Sequence, residues 1–119
     1  MPPPNQITAA IYARVSTTDK GQDVENQLAQ LRRYARAQRW QIREFIDHAS
    51  GKHSDRAQFK AMFEAASRRE FTVVIVWALD RLTREGIGET FAHLKRLHGY
   101  GVQFESYSEP QFRTTGPLG

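Results

Sequence analysis

The amino-acid sequence predicts an α/β protein of three layers, with a mostly parallel central sheet of about four strands and helices on both faces. Short apolar segments alternate along the chain with longer segments of helical period. This gives the order β-α-β-α-β-α-β, which normally produces parallel strands joined by right-handed crossovers. The first and third strand segments are apolar nearly throughout, a pattern typical of strands that are covered on both faces.

The first half of the chain supplies two strands and one helix. Residues 7–13 are apolar and lack helical caps, which predicts the first strand. Residues 17–23 are polar and predict a loop, after which the pattern becomes helical. The apolar face of this helix consists of Val24, Leu28, Leu31 and Ala35, and the opposite face carries Arg32, Arg33 and Arg36. Residues 40–47 predict the second strand.

The second half supplies two more helices and two more strands. Ser54 or Asp55 is the candidate N-cap of the second helix. Its apolar face consists of Phe59, Met62, Phe63 and Ala66. Residues 71–79 are β-branched and nearly all apolar, which predicts a central strand. The third helix is expected to turn inward Ile87, Phe91, Leu94 and either Leu97 or His98, and to end at Gly99 and Gly101. Residues 102–107 predict the fourth strand.

Composition limits the class of protein. The 119 residues are 39% hydrophobic, which predicts one soluble globular domain. No apolar run approaches the roughly 18 residues of a membrane span. The sequence has no cysteine, which excludes disulfides and thiolate metal sites and favours a reducing cytoplasm. The net charge of +4 suits an anionic partner, but it does not establish nucleic-acid binding, since arginine excess also follows genome base composition.

The predicted domain spans residues 7–108. Residues 1–6 contain three consecutive prolines, which cannot join the interior of a sheet, and they predict a flexible leader. Residues 109–119 form an irregular tail in which Thr115 and Pro117 are suited to open a further helix. We therefore expect one folded domain between two irregular ends.

Polar residues collect at one edge of the predicted sheet, where the carboxyl ends of parallel strands meet and where such sheets bind ligands. The residues placed there are Arg14, Ser16, Arg56, Asp80, Arg81 and Arg84. Four arginines around one serine are costly without an anion to neutralise them. Guanidinium groups bind the non-bridging oxygens of a phosphodiester and stabilise charge during nucleophilic attack, each contributing roughly 2–4 kcal/mol. The edge therefore predicts a phosphoryl-transfer site with Ser16 as the candidate nucleophile.

Each of these residues also has a structural explanation. A serine in the position of Ser16 is typical of a loop or an N-cap. Arg81 and Arg84 share a helix face and can pair with neighbouring acids, and Arg56 can pair with Asp55. A functional site is favoured over these separate explanations because all of the residues fall at one edge of the predicted sheet.

Other chemistries fit these residues less well. The sequence contains no Walker loop, and GIGET at residues 86–90 lacks the third glycine of a dinucleotide fingerprint. The histidines at 48 and 53, and those at 93 and 98, are each five residues apart, which does not suit zinc ligands on one helix. His48 is the one histidine near the predicted edge that a Ser-His-Asp triad would need, and it falls in a predicted loop. We expect neither a metal nor a cofactor.

Three motifs in order resemble the catalytic domain of the serine site-specific recombinases, the resolvase/invertase family. These are YARVS at residues 12–16, SGKHSDR at 50–56 and DRLTR at 80–84. SEP at 108–110 and TTGPLG at 114–119 extend the resemblance over residues 7–119. A lysine that the family often carries after the second motif has no clear match, because Lys60 falls about one turn early.

The resemblance implies a catalytic mechanism. Ser16 would attack a DNA phosphodiester, forming a 5′-phosphoserine link and freeing a 3′-hydroxyl, so that cleavage and rejoining need neither ATP nor metal. The family's phosphate-binding and transition-state arginines match Arg14, Arg56, Arg81 and Arg84. Asp80 would orient these arginines or handle a proton, and Tyr12 and Gln27 would support the site.

The resemblance also implies partners and a location. It implies double-stranded DNA, a homodimer and a tetramer in the full-length protein, and a cytoplasmic, nucleoid-associated protein of a bacterium or mobile element. The family continues into a long dimerisation helix and a DNA-binding region, whereas this sequence stops at Gly119. We expect an excised catalytic domain. The resemblance leaves open whether this domain is monomeric or inactive by itself.

Two other classes of protein share features of this sequence. A phosphate- or nucleotide-binding α/β module would use the same arginines without catalysis. A receiver-type signalling domain shares the layered architecture but needs an acidic pocket after the first strand, where this chain has residues 12–14, YAR.

Overall fold

The computed structural model describes residues 7–16, 21–49, 57–77 and 87–108, with the backbone alone at residues 15–16, 21–24, 49 and 87. Within these ranges the elements are β1 (Thr8–Ser16), α1 (Gly21–Ala37), β2 (Gln41–Ala49), α2 (Ala57–Ser67), β3 (Val73–Val76), α3 (Ile87–Gly99) and β4 (Gln103–Ser106). Strands and helices alternate as the sequence pattern predicts. The α/β class is therefore confirmed.

The four strands form one parallel sheet in the order β2-β1-β3-β4. The chain moves from β1 to β2 in one direction, with α1 on one face. It then moves in the opposite direction to β3 and on to β4, with α2 and α3 on the other face. Because the direction and the covered face reverse together, all three crossovers have the same hand, as the rule for parallel strands requires.

The side chains of β1 alternate between the two halves of the core. Ala9, Ile11 and Ala13 pack against α1, where the contacting residues are Leu28, Leu31 and Ala35. Ala10 and Tyr12 pack on the other side, against Phe59, Met62 and Phe63 of α2 and Leu97 of α3. The apolar faces predicted for α1 and α2 are confirmed at every position whose side chain is described.

The three helices in the described part of the chain end in the same hydrogen-bonded turn. At the end of α3 the Gly101 N–H donates to the His98 carbonyl and the Val102 N–H to the Leu97 carbonyl, both at 2.9 Å, and Gly101 has a φ of 80°. At the ends of α1 and α2 the equivalent left-handed positions are held by Arg39, with a φ of 64°, and Arg69, with a φ of 58°. The turn geometry thus stops two helices without the glycine that usually favours it.

Several predicted element boundaries were wrong. β1 continues through Arg14 to Ser16, so both residues lie in the strand rather than after it, because β2 extends beside them and supplies pairing. α1 begins at Gly21, so residues 21–23 are helical rather than part of a loop. β3 contains only Val73–Val76, although Phe71 before it is buried in the core.

The inward face predicted for α3 was wrong at Phe91. This ring is 54% exposed, whereas Thr90 and Leu97 are buried and Leu94 is half-buried. His98, the alternative to Leu97, is exposed. The buried stripe thus runs through Thr90, Leu94 and Leu97, which is rotated by one residue from the stripe that contains Phe91. The inward face of α3 therefore contains Thr90, whereas the apolar pattern predicts Phe91 on that face.

The two positions on α3 provide a matched test of the packing. Leu97→Ala is expected to lower the free energy of unfolding by about 2–5 kcal/mol, because it removes a fully buried side chain. Phe91→Ala is expected to change it by less than about 0.5 kcal/mol, because this ring is mostly in solvent. Urea unfolding followed by circular dichroism measures both. Similar losses for the two variants would contradict the observed orientation of α3.

An ion pair ties α1 to the edge strand β2. Arg32 donates through two guanidinium nitrogens to the two carboxylate oxygens of Glu44, at 2.5 and 2.9 Å. The Arg32 hydrogen bond lowers the pKa of Glu44 below its ordinary value, while partial burial opposes this effect and the charges of Arg32 and Arg36 reinforce it. The same hydrogen bond raises the pKa of Arg32.

This pair predicts a small acid-dependent loss of stability. Because the folded-state pKa of Glu44 is depressed, its contribution is present above the ordinary glutamate pKa of 4.5 and is lost as pH falls through the lower folded value. Glu44→Gln should therefore destabilise the protein by about 0.2–1 kcal/mol at pH 7. The variant and the original protein should converge in urea unfolding at acidic pH. A difference that persists after protonation would contradict the ion-pair origin.

Candidate active site

The carboxyl end of β1 lies where the strand order changes direction, since β1 leads to β2 on one side and neighbours β3 on the other. Open α/β sheets bind ligands at such a point. β1 pairs with β3 only at Ala9, Ala10 and Ile11, whereas it pairs with β2 along its whole length. The last five residues of β1, which end in Ser16, therefore lie beyond its pairing with β3.

The structure describes four of the eight residues that the sequence places in or beside the site. Tyr12 is fully buried, Arg14 and Gln27 are half-buried, and Ser16 is described by its backbone as the last residue of β1. The Cα of Arg14 pairs in register with Asp47, and that of Ser16 with Ala49. Arg56, Asp80, Arg81 and Arg84 lie outside the described residues, as do Ser54 and Asp55.

Asp47 is a central residue of this edge that the sequence analysis did not identify. Its side chain is only 6% exposed. Oδ2 accepts hydrogen bonds from the Tyr12 hydroxyl at 2.8 Å and from the Phe59 N–H at 3.0 Å, and Oδ1 accepts one from the Gln58 N–H at 2.8 Å. The carboxylate therefore joins three elements: β2, which carries it, β1 and the start of α2.

The contacts to Gln58 and Phe59 make Asp47 the cap of α2. These residues are the second and third of the helix, whose N–H groups have no partner within the helix and are usually bound by the N-cap side chain. A carboxylate is favoured there by the helix dipole as well. The signal in the sequence is an acid near the carboxyl end of β2, and only the fold shows which helix it reaches.

This arrangement fixes the start of α2 relative to β1. The Tyr12 ring packs edge-on against Phe59, with centroids 5.3 Å apart, so the hydrogen bonds and the ring contact join the same two elements. Arg56 directly precedes the first residue of α2 in the sequence. The backbone to which Arg56 is attached is therefore anchored, through Asp47 and Tyr12, to the strand that ends in Ser16.

Two other features bear on function, a metal site and a membrane span. In ranges 7–16, 21–49, 57–77 and 87–108, no group of three histidine or acidic side chains is placed to hold a metal ion. Among the helices in the same ranges, none combines the length and the apolar character that crossing a bilayer requires.

The chain is similar to known proteins over most of its length. The family model described as Resolvase, N-terminal domain, matches residues 9–119. The catalytic domain of ISC1926 TnpA, an IS607-like serine recombinase, is 34% identical, with a TM-score of 0.73 over 85% of this chain and 67% of that one. The N-terminal catalytic domain of TP901-1 integrase is 27% identical, with a TM-score of 0.72 over 87% of this chain and 78% of that one.

A third solved structure supports the fold alone. A resolvase-family site-specific recombinase from Streptococcus pneumoniae is 21% identical, with a TM-score of 0.78 over 95% of this chain and 80% of that one. No match was found among curated protein sequences. The sheet order and these similarities define a class of enzyme, the serine recombinases. The chain belongs to the resolvase N-terminal domain family and is a serine recombinase catalytic domain.

Proposed function

We propose that Ser16 is the nucleophile of this recombinase domain. Its Oγ would attack the phosphorus of a DNA phosphodiester, the bond from phosphorus to the 3′ oxygen would break, and the DNA would be left with a 3′-hydroxyl and a 5′-phosphoserine link. The serine loses a proton and the departing 3′ oxygen gains one. The 3′-hydroxyl of an exchanged strand reverses the step, so the bond energy is kept in the covalent link. The observation that carries this proposal is the position of Ser16 at the end of β1, two residues beyond Arg14.

The arginines would bind and stabilise the reacting phosphate. Arg14 is half-buried on the strand that carries Ser16, and Arg56 adjoins the helix that Asp47 anchors to that strand. The family resemblance adds Arg81 and Arg84 from the segment after β3. Guanidinium forks suit the non-bridging oxygens, whose charge grows in the transition state, and each well-placed donor contributes roughly 2–4 kcal/mol.

Asp80, Tyr12 and Gln27 would have supporting roles. Asp80 would orient the arginines or accept a proton, as the resemblance implies. Tyr12 is buried with its hydroxyl bonded to Asp47, so its contribution would be to position α2. Gln27 is half-buried on α1 next to the core residue Leu28.

Membership of the family implies that the protein binds DNA and works as an oligomer. We further propose double-stranded DNA as the substrate, and dimers that assemble into tetramers, with residues 7–108 as the catalytic unit and residues 109–119 leading toward a dimerisation helix. A cytoplasmic, nucleoid-associated location would follow from a DNA substrate. The resemblance supports these finer statements.

The test does not require the DNA site to be known. The protein is incubated with sheared genomic DNA of its own source, and DNA that is covalently joined to protein is recovered and digested with nuclease. Mass spectrometry should then find a nucleotide phosphate on Ser16, and the released DNA ends should carry 3′-hydroxyls. A nucleotide joined to any other residue, or cleavage that leaves 3′-phosphates, would overturn the assignment.

A further inference from the structure

A basic groove of about 570 Å³ lies on the outer surface of α1, beside the edge strand β2. The residues that line it are Ala29, Arg32, Arg33, Arg36 and Glu44. Three arginines and one carboxylate leave two positive charges uncompensated in this lining, because arginine stays protonated in proteins. The lining includes none of the proposed catalytic residues that the structure describes, so the groove is a feature separate from the catalytic edge.

Arg33 and Arg36 carry the uncompensated charge. Glu44 is engaged with Arg32, which donates to both of its carboxylate oxygens. Arg36 lies near the same carboxylate, since its charge adds to the Arg32 hydrogen bond in lowering the pKa of Glu44. Within the described part of the chain, neither Arg33 nor Arg36 forms an ion pair, and both are exposed. The exposed Arg43 of β2, by contrast, is paired with an acid at 2.6 Å.

We propose that this basic groove is a second contact for the phosphate backbone of duplex DNA, in addition to the catalytic edge. The inference rests on double-stranded DNA as the proposed substrate. Arg33 and Arg36 are one helical turn apart, which places their Cβ atoms about 5–6 Å apart on one face of α1. Each guanidinium fork binds the non-bridging oxygens of a phosphate. Ala29 is one turn before Arg33, and its small side chain leaves room for the DNA backbone to approach.

The chemistry of the lining favours a DNA backbone over other anions. Ala29 is the one apolar side chain among the described residues that line the groove. Protein interfaces are centred on buried aromatic and apolar anchors, and small-molecule sites such as those for nucleotides are lined mainly by similar groups. Neither a protein partner nor a free nucleotide would find such a surface here. A phosphate backbone needs none, because its contacts are made to a series of charged oxygens.

The groove is within reach of DNA that is bound at the catalytic edge. Glu44 is five residues before Ala49, whose Cα pairs in register with Ser16. Five strand residues span about 16 Å, which is the length of about five base pairs of duplex. A duplex that is held at Ser16 and runs along β2 therefore contacts the groove as well, and both contacts hold the same DNA molecule.

The dependence of DNA affinity on salt concentration tests the proposal. The parent protein and all variants carry Ser16→Ala, so that no covalent reaction contributes and the result does not depend on which residue is the nucleophile. Arg33→Gln combined with Arg36→Gln should lower the affinity for a fluorescent duplex about tenfold in low salt. The slope of log affinity against log salt concentration should become shallower by about 1.8, since each lost phosphate contact contributes about 0.9. Fluorescence anisotropy measures both quantities.

A matched double variant removes the same charge from the other face of the sheet. Lys60 of α2 and Lys95 of α3 are exposed there, and Lys60→Gln combined with Lys95→Gln should leave the slope unchanged. The proposal is overturned if the arginine variant keeps the slope of the parent, if both double variants lose it equally, or if the parent does not bind the duplex. It is also overturned if polyglutamate at the same concentration of charge binds as tightly as DNA and loses affinity in the arginine variant, which would indicate an acidic protein as the occupant. The adduct test on Ser16 is independent of each of these outcomes.

Discussion

Ser16→Ala is expected to abolish the covalent protein–DNA adduct, with a loss on the order of 10⁴-fold or more in the rate of strand cleavage. Alanine removes the one oxygen that is proposed to bond to phosphorus. The variant should still fold, because the substitution leaves the backbone pairing of β1 with β2 in place. The measurement is the yield of protein-linked DNA on a denaturing gel over time.

A second serine provides the matched control. Ser67 is exposed at the end of α2, where its hydroxyl donates to the Glu64 carbonyl at 2.6 Å. Ser67→Ala removes a hydroxyl of the same kind at a distance from β1, and it should form the adduct at the original rate. If Ser16→Ala retains adduct formation, or if both variants lose it equally, Ser16 is not the nucleophile.

The layered fold could be predicted because the main signal is local. β-branched apolar segments and the helical faces of α1 and α2 are fixed by period alone, and every described position of those two faces is where the pattern places it. Phe91 shows where this signal fails. Burying an aromatic ring at that position requires a neighbour to cover it, whereas the chain turns α3 so that Thr90 faces inward. Hydrophobicity along one helix does not contain that information.

The site could be predicted in part, for a similar reason. Arg14 and Ser16 are two residues apart in the sequence and share the end of one strand, so their proximity needs no tertiary information. The role of Asp47 depends on its contacts with Tyr12, which is 35 residues away in the sequence, and with Phe59, which is 12 residues away. An acid near the end of a strand has many explanations in a sequence. Its role as the cap of α2 becomes visible only when β2, β1 and α2 are placed together.

Asp47→Ala is expected to lower the free energy of unfolding by about 1.5–5 kcal/mol. The substitution removes the cap of α2, worth roughly 0.5–2 kcal/mol, and leaves the buried Tyr12 hydroxyl without this acceptor, at a further cost of roughly 1–3 kcal/mol. Tyr12→Phe should lose only about 0.5–1.5 kcal/mol, because Asp47 keeps both of its bonds to the helix. Urea unfolding of the two variants compares these losses, and equal values would contradict the capping role.

Asp47→Ala should also slow strand cleavage in the protein that remains folded, because Arg56 is attached to the helix end that Asp47 holds against β1. Leu97→Ala is the comparison, since it is expected to cost similar stability through an apolar residue of α3 whose side chain does not cap α2. Cleavage rates are measured at a temperature where circular dichroism shows both variants folded. A rate that falls for Asp47→Ala but stays near the original for Leu97→Ala identifies Asp47 as a positioning residue. Equal rates would limit its role to stability, because Leu97→Ala leaves the cap of α2 in place.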